Sequence, residues 1–382
     1  MKYKIQNIIQ KIKGKWITLG KKKQIVVVIT LGVFLLVSVG GIYAFVQSRQ
    51  PVAIPINANT DDKNSVDVES PEPPENQELP LDGALVTQAE YDRIMSYLPM
   101  AVMIENSTTV RPVSGLSRAD LVYEAVVEGG ITRYMAVFLH HDAEEIMPVR
   151  SSRSYYLDWL EELDATYMHI GGAISDNPRA VALPRIFSTG VKTYMNVSGA
   201  WLRKPGVLAP HNAFTSTDRM KDVQDKNGWA RSTKLRPWLF KDEAPQDERP
   251  SEQTISLEWG SWGRNAYSVV WVFDPVGNRY FYEVGGVRQM DAKTGDDVSP
   301  KNVIMQLTGF SSANDQYGHV LYDTVGEGRA LIFRDGKIID GTWKKTALDA
   351  RTIYYDENGD EMEFNRGLSW IQAVPTESVI TY

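Results

Sequence analysis

Residues 119–139 read A-D-L-V-Y-E-A-V-V-E-G-G-I-T-R-Y-M-A-V-F-L. The second half, Thr132 to Leu139, is rich in apolar and aromatic residues and predicts a central strand. Gly129-Gly130 breaks the run before it. The first half, Ala119 to Glu128, fits a strand or a helix, because its period does not separate the two. Outward from this stretch the signals alternate. Pro99 to Ile104 is a short apolar run that predicts a buried strand, ending in Glu105-Asn106. Ser154 to Ala165 predicts a helix with Tyr155, Trp159 and Leu163 on one side. Thr166 to Ile170 predicts a strand that stops at Gly171-Gly172, and a helix begins near Asp218. Strands alternating with helices imply a mixed α/β layer domain over residues 90–240.

Beyond residue 250 the helix signal fades. Ala266 to Phe273 and Arg279 to Val284 read as a hairpin. Strand runs follow at Val303 to Leu307, His319 to Thr324, Arg329 to Arg334, Lys337 to Trp343, Thr352 to Tyr355 and Trp370 to Val374. Asp335-Gly336 and Asn358-Gly359 are hairpin-turn dipeptides. Short strands at this spacing predict a small mainly-β barrel or sandwich over residues 250–382. The expected fold class is therefore α+β, a mixed α/β layer domain followed by a small mainly-β domain. Tryptophans 259, 262, 271, 343 and 370 are core by default, with a glycan or partner surface as the alternative for any that are exposed.

Ahead of both domains, residues 25–46 contain no charged residue. At ~1.5 Å rise per residue, such a run crosses a hydrocarbon core of ~30 Å. Residues 1–24 carry eight Lys and no acid, and Arg49 alone follows closely. The positive-inside rule then places residues 1–24 in the cytoplasm and the remainder outside. No convincing small-x-small cleavage site precedes Gln47, so an uncleaved anchor is expected rather than a signal peptide. Ile5, Ile8, Ile9 and Ile12 fall on one helical face between lysines, which fits an amphipathic surface helix or a plain topology-setting flank. Residues 50–82 hold six Pro and no aromatic residue, and eight acids face Lys63 alone. Such a segment buries too little apolar surface to order itself, so residues 47–89 are expected to form a disordered, extended stalk.

The 382 residues are 43% hydrophobic and 23% charged, the balance of a globular chain. Net charge is -7, so no nucleic-acid partner is expected. There is no cysteine, which excludes disulfides, thiolate metal sites, a cysteine nucleophile and a lipid-modified cysteine. The five histidines show no ligand spacing of the H-E-x-x-H kind, and no P-loop or Ser-His-Asp order is present. No metal or cofactor is expected.

The polar candidates lie in the first domain. Arg150 and Arg153 flank two serines at a strand-to-helix junction, where guanidinium forks and backbone N–H groups bind phosphate or carboxylate. Arg111 and Arg133 are further cationic candidates for the same anion. The alternative is that Arg150 and Arg153 are structural partners of Glu124 or Glu128, and Ser151 or Ser152 a helix cap. His169 ends an apolar strand before Gly-Gly, and open sheets collect ligands at the carboxyl ends of strands. A hydrogen-bonded packing histidine is the alternative there. His211-Asn212 is a loop pair after proline, functional or turn-forming. Glu124 and Glu128 lie four apart and share a face whether on helix or strand. They fit acid–base or magnesium roles, a solvated face, or a partner for Arg133.

V-M-I-E-N at 102–106 and R-P-x-S-G-L-S-x-A-D-L-V-Y-E-A-x-V-E-G-G-I-T-R at 111–133 are followed by P-V-R-S-x-R at 148–153. H-x-G-G at 169–172 and A-P-H-N at 209–212 come next, with G-x-A-L-I-F-R-D-G-K-I-I-D-G-T-W at 328–343 and S-W-I-Q-A-V-P at 369–375. In this order they resemble the YerB-like family of bacterial envelope lipoproteins, over most of the exterior part. The resemblance implies an envelope location and a two-part exterior region, and points toward cell-wall or division complexes. It carries no firmly established biochemical activity. A transmembrane helix in place of a lipidated cysteine departs from the family pattern. The S-x-R loop, strand and Gly-Gly turn are also similar, at fold level alone, to the LytR-CpsA-Psr phosphotransferases. The leading expectation is a non-catalytic protein that binds a cell-wall component or wall-assembly proteins. The alternative is an enzyme on a phosphate-bearing lipid-linked glycan.

Overall fold

Leu121–Val126 settles as a strand, buried at every position, and fixes the middle of the molecule. Residues 74–229 and 235–382 are described in the computed structural model. The anchor read over 25–46 and the stalk up to residue 73 lie outside the described residues. Among the described residues no helix is long and apolar enough to cross a membrane.

Fourteen strands build the two larger sheets. In the first half they are β1 (Met100–Glu105), β2 (Leu121–Val126), β3 (Thr132–Phe138) and β4 (Thr166–Met168). Then come β5 (Thr254–Glu258), β6 (Val269–Asp274), β7 (Arg279–Val284), β8 (Val287–Arg288) and β9 (Asn302–Thr308). The last are β10 (Gly326–Arg334), β11 (Lys337–Lys345), β12 (Ile353–Tyr355), β13 (Ser369–Pro375) and β14 (Val379–Thr381). Four helices are α1 (Gln88–Ile94), α2 (Ser154–Glu162), α3 (Leu183–Thr189) and α4 (Thr217–Asn227). The fold is α+β, with few helices and many strands in several sheets.

One sheet runs in the order β12-β11-β10-β9-β13-β2-β3-β1-β4. It does not respect the expected boundary near residue 250. β13 lies parallel to β2 on one side and parallel to β9 on the other, with Trp370 opposite Val122 and Gln372 opposite Glu124. Residues 72–382 accordingly form a single unit. The expected free-standing barrel or sandwich is replaced by two roles. Strands β9 to β13 extend the central sheet, and a second sheet, β8-β7-β6-β5-β14, covers part of one face. The physical reason is in the burial pattern. β6 and β7 alternate buried and half-buried residues, as a covering sheet does. β13 is buried throughout and needs a neighbour on each edge.

The two faces have different covers. Tyr123, Ile304 and Ile371 share one core with Tyr155, Tyr156 and Trp159 of α2. Val122, Val303 and Trp370 meet Ile255, Trp271 and Tyr282 of the second sheet. The β10–β11 hairpin closes at Asp335-Gly336, both at positive φ, as a two-residue type I′ turn requires.

The end of the expected stalk is also folded. Leu79, Leu81 and Val86 are buried in the α2-side core, and Thr87 caps α1 in a capping box with Glu90. Three buried apolar side chains supply what the acid-rich composition hides.

A fragment spanning 250–382 lacks β2 and exposes one edge of β13. It is expected to show no fixed tertiary structure by near-UV circular dichroism. A cooperative unfolding transition in that fragment would contradict the shared sheet.

Candidate functional site

β1 and β4 are parallel neighbours over Met100–Val102 and Thr166–Met168. Past that point the segment 148–152 enters between them. Glu105 donates its N–H to Pro148 O at 3.0 Å, and Arg150 donates its own to Met103 O at 2.9 Å. On the other side Ile170 N–H reaches Arg150 O at 3.0 Å. Arg150 thus stands where two parallel strands part at their carboxyl ends, the usual position of a ligand crevice in an open sheet.

Glu105, the last residue of β1, is buried and collects an arginine and a histidine. Its Oε2 lies 3.1 Å from Arg150 Nε and 2.8 Å from His211 Nδ1. With Nδ1 taken by Glu105, Nε2 of His211 is the ring position without a partner among the described residues. His211 is 32% exposed at its side chain and Arg150 24%, against 6% for Glu105. Neither terminal amine of Arg150 has an acceptor among the described residues. The outward surface is a guanidinium fork beside an imidazole, both seated on a buried carboxylate.

Arg153 behaves differently. It binds Glu128 through Nε at 2.7 Å and again through Nη2, and its Nη1 donates to Ser152 O at 2.7 Å. Arg133 donates to Ser151 O at 2.7 Å and stands 3.9 Å from Glu128. Burial alone would raise the Glu128 pKa, but the Arg153 hydrogen bonds and the two guanidinium charges hold it at about 2. This is the structural ion pair that the alternative reading foresees for Arg153, with Glu128 as its partner and Glu124 not involved. The capping expectation fails: Arg153 occupies the N-cap position of α2, and no side chain caps it.

Glu124 is fully buried and touches no arginine among the described residues. Its Oε1 accepts from Thr132 Oγ1 and Tyr282 OH, both at 2.9 Å. Its Oε2 accepts from Gln372 Nε2 at 2.8 Å and Trp370 Nε1 at 3.1 Å. Burial raises its pKa against the pull of these four donors. With every lone pair occupied and no route to solvent, neither the magnesium nor the acid–base role fits. Arg111 ties Asn106 Oδ1 at 2.8 Å and Ala266 O at 2.8 Å, and lies over the Tyr267 ring, so it fixes a loop. Asn212 accepts from Arg203 at 2.7 Å and donates to Val207 O at 3.1 Å, shaping the loop that presents His211.

His169 is buried between Gly171 O, 2.8 Å from Nδ1, and Thr193 Oγ1, 2.8 Å from Nε2. Both ring nitrogens are used internally. Desolvation pushes its pKa down to about 4, against the help of the Gly171 carbonyl. It is a packing histidine.

Of the nine candidates, then, Arg150 and His211 come together on Glu105. Glu128, Arg133 and Arg153 form a second cluster joined to the first through the 150–152 backbone. Arg111, Glu124, His169 and Asn212 are structural. Glu105 was missed as a site residue; a carboxylate closing a buried strand, next to the crevice, was its only signal.

A family model for the N-terminal domain of a protein of unknown function (DUF3048) matches residues 86–230, and its C-terminal partner matches 258–371. The chain belongs to the YerB-like family. It is 29% identical over 301 residues to "Putative lipoprotein YerB" of Bacillus subtilis (strain 168), covering 78% of this chain and 86% of that protein. The crystal structure of the YerB protein from Bacillus subtilis matches with a TM-score of 0.67 at 26% identity, covering 80% of this chain and 100% of that one. In this YerB-like chain both family halves contribute strands to one central sheet.

The His169 environment has a pH signature. Unfolded, the imidazole titrates near 6.5; folded, at about 4. Between these values the unfolded chain holds the extra proton. The stability of keeping His169 neutral is therefore complete above 6.5 and is lost as pH falls toward 4, by up to roughly 3 kcal/mol. His169→Gln should flatten that part of the pH–stability curve in urea unfolding. An unchanged slope would assign the acid sensitivity elsewhere.

Proposed function

We propose that this YerB-like chain is a membrane-anchored extracytoplasmic binding protein, spanning the bilayer once through residues 25–46. The chain has no cysteine to carry a lipid. Its uncharged run behind eight lysines supplies an anchor by the other available route. The recognition site is Arg150 with His211 on Glu105. The ligand is a phosphate- or carboxylate-bearing cell-wall component, or an acidic surface of a wall-assembly protein.

One observation carries this reading. Arg150 holds Glu105 with Nε and leaves both terminal amines without a protein acceptor among the described residues. A planar fork with two free N–H edges binds an oxyanion in bidentate fashion, which a saturated arginine such as Arg153 does not. The Glu105–His211 contact also favours a second reading. A carboxylate that fixes Nδ1 leaves Nε2 as a general base, the arrangement needed for transfer or hydrolysis at a phosphate-bearing lipid-linked glycan.

Titration of residues 74–382 with an undecaprenyl-pyrophosphate analogue tests both. Starting at 90 instead would remove the buried Leu79, Leu81 and Val86. Arg150→Ala is expected to weaken binding at least about tenfold in a protein that still unfolds cooperatively, since a charge-assisted hydrogen bond is worth about 1.5–3 kcal/mol. Arg153→Ala is expected to lower stability instead, by stranding Glu128. No binding by the wild type would overturn the anion site. Turnover that is abolished by Arg150→Ala would favour the enzyme.

A further inference from the structure

Four side chains with metal-ligand chemistry converge at the other end of β3, remote from Arg133. His140 and His141 follow that strand. Consecutive strand residues point to opposite faces, yet these two rings lie together with centroids 4.1 Å apart. Asp120 makes the bend. Its Oδ2 accepts the N–H of Leu139 at 2.6 Å and of His140 at 2.9 Å. Its other oxygen is left facing His141 Nδ1 at 3.1 Å. Asp82 repeats the arrangement. Oδ1 accepts the N–H of Ala84 at 3.1 Å, while Oδ2 lies 2.6 Å from His140 Nδ1 and 3.9 Å from His141 Nδ1.

Each carboxylate therefore has one oxygen locked by the backbone and the other aimed at the histidines. Four potential ligand atoms, one from each residue, lie within 4.8 Å of one another. Both aspartates are buried, at 2% and 1% exposure. Their ion-pair partners among the described residues are these histidines alone, with no lysine or arginine. Two buried carboxyl groups thus have no lysine or arginine partner among the described residues.

We propose that Asp82, Asp120, His140 and His141 bind a first-row divalent cation of the zinc type. Two imidazole nitrogens and two carboxylate oxygens, with no thiolate, form a borderline donor set that suits such an ion. In a tetrahedral shell with metal–ligand bonds of about 2.0–2.2 Å, neighbouring ligand atoms stand about 3.3 Å apart. The His141–Asp120 contact of 3.1 Å is already close to that spacing, and the His140–Asp82 contact of 2.6 Å has to open slightly. The backbone N–H groups on the second oxygens are the outer shell that orients ligating carboxylates before a metal arrives. Four protein ligands make a closed, structural site rather than a catalytic one.

Its placement gives it a task. Asp82 belongs to the segment ahead of α1, and its backbone carbonyl accepts from Gly367 N–H at 2.7 Å. A cation shared with Asp120 and the histidines clamps this segment, which leads toward the N-terminal residues, onto the β2–β3 region.

The test is calorimetric titration of the full chain, stripped with chelator, using zinc chloride as the probe. Wild type is expected to take up one zinc per chain and to gain thermal stability with it. His141→Ala, at a half-exposed position, and Asp82→Asn should each bind at least about tenfold more weakly. Cobalt(II) replacement reads the shell without any variant, through the visible bands of a four-coordinate nitrogen and oxygen site. No saturable uptake by the wild type, uptake unchanged in both variants, or a cobalt spectrum of the hydrated ion would each overturn the proposal.

Discussion

Glu124 carries a carboxylate with no exposed surface, and its four hydrogen bonds come from three directions: Thr132 on β3, Trp370 and Gln372 on β13, and Tyr282 on the covering sheet. A buried carboxylate is costly unless its lone pairs are satisfied. Here the satisfaction can be achieved only when both halves of the chain and both sheets are assembled. Gln372 stands opposite Glu124 in the parallel β2–β13 pair and also accepts from Trp271 at 3.1 Å. The polar network thus specifies the register that joins residues 121–126 to 369–375. The edge-on and tilted aromatics around it, Tyr134, Trp271, Tyr282 and Trp370, supply the apolar burial.

With that register set, the sheet presents two polar ends. At one, the 148–152 segment separates β1 from β4 and seats Arg150 over Glu105. At the other, β3 runs out into His140-His141 over Asp120. The contrast between Arg150 and Arg153 shows why sequence neighbours differ in role. Arg153 is spent on a part-buried bidentate pair with Glu128, whereas Arg150 meets Glu105 through Nε and its terminal amines have no acceptor among the described residues.

Much of this was legible in the sequence where local pattern decides. The strands at 100–105, 132–138 and 166–168, the helix from Ser154, and the Asp335-Gly336 turn follow from periodicity and turn chemistry. Ala119 to Glu128 remained open because a central strand buried on both faces has no alternation to read. The shared sheet was hidden for a related reason: the β2–β13 pairing spans nearly the whole folded chain, and sequence spacing does not encode it. The family motifs did mark Arg150 and His211. Glu105, their common partner, sat in the V-M-I-E-N motif as a strand end. The ordering of 74–89 was masked by acid-rich composition, although Leu79, Leu81 and Val86 were there to be weighed.

The dependence of the fold on Glu124 is tested most directly by urea unfolding of Glu124→Gln. The amide must turn its NH₂ toward donors that have no use for it. With about 1–3 kcal/mol for each buried donor left unpaired, a loss of roughly 2–4 kcal/mol is expected. Tryptophan fluorescence and far-UV circular dichroism should report one coincident transition, as both halves lose the same sheet. A variant as stable as the wild type, or two separated transitions in the wild type itself, would contradict the account.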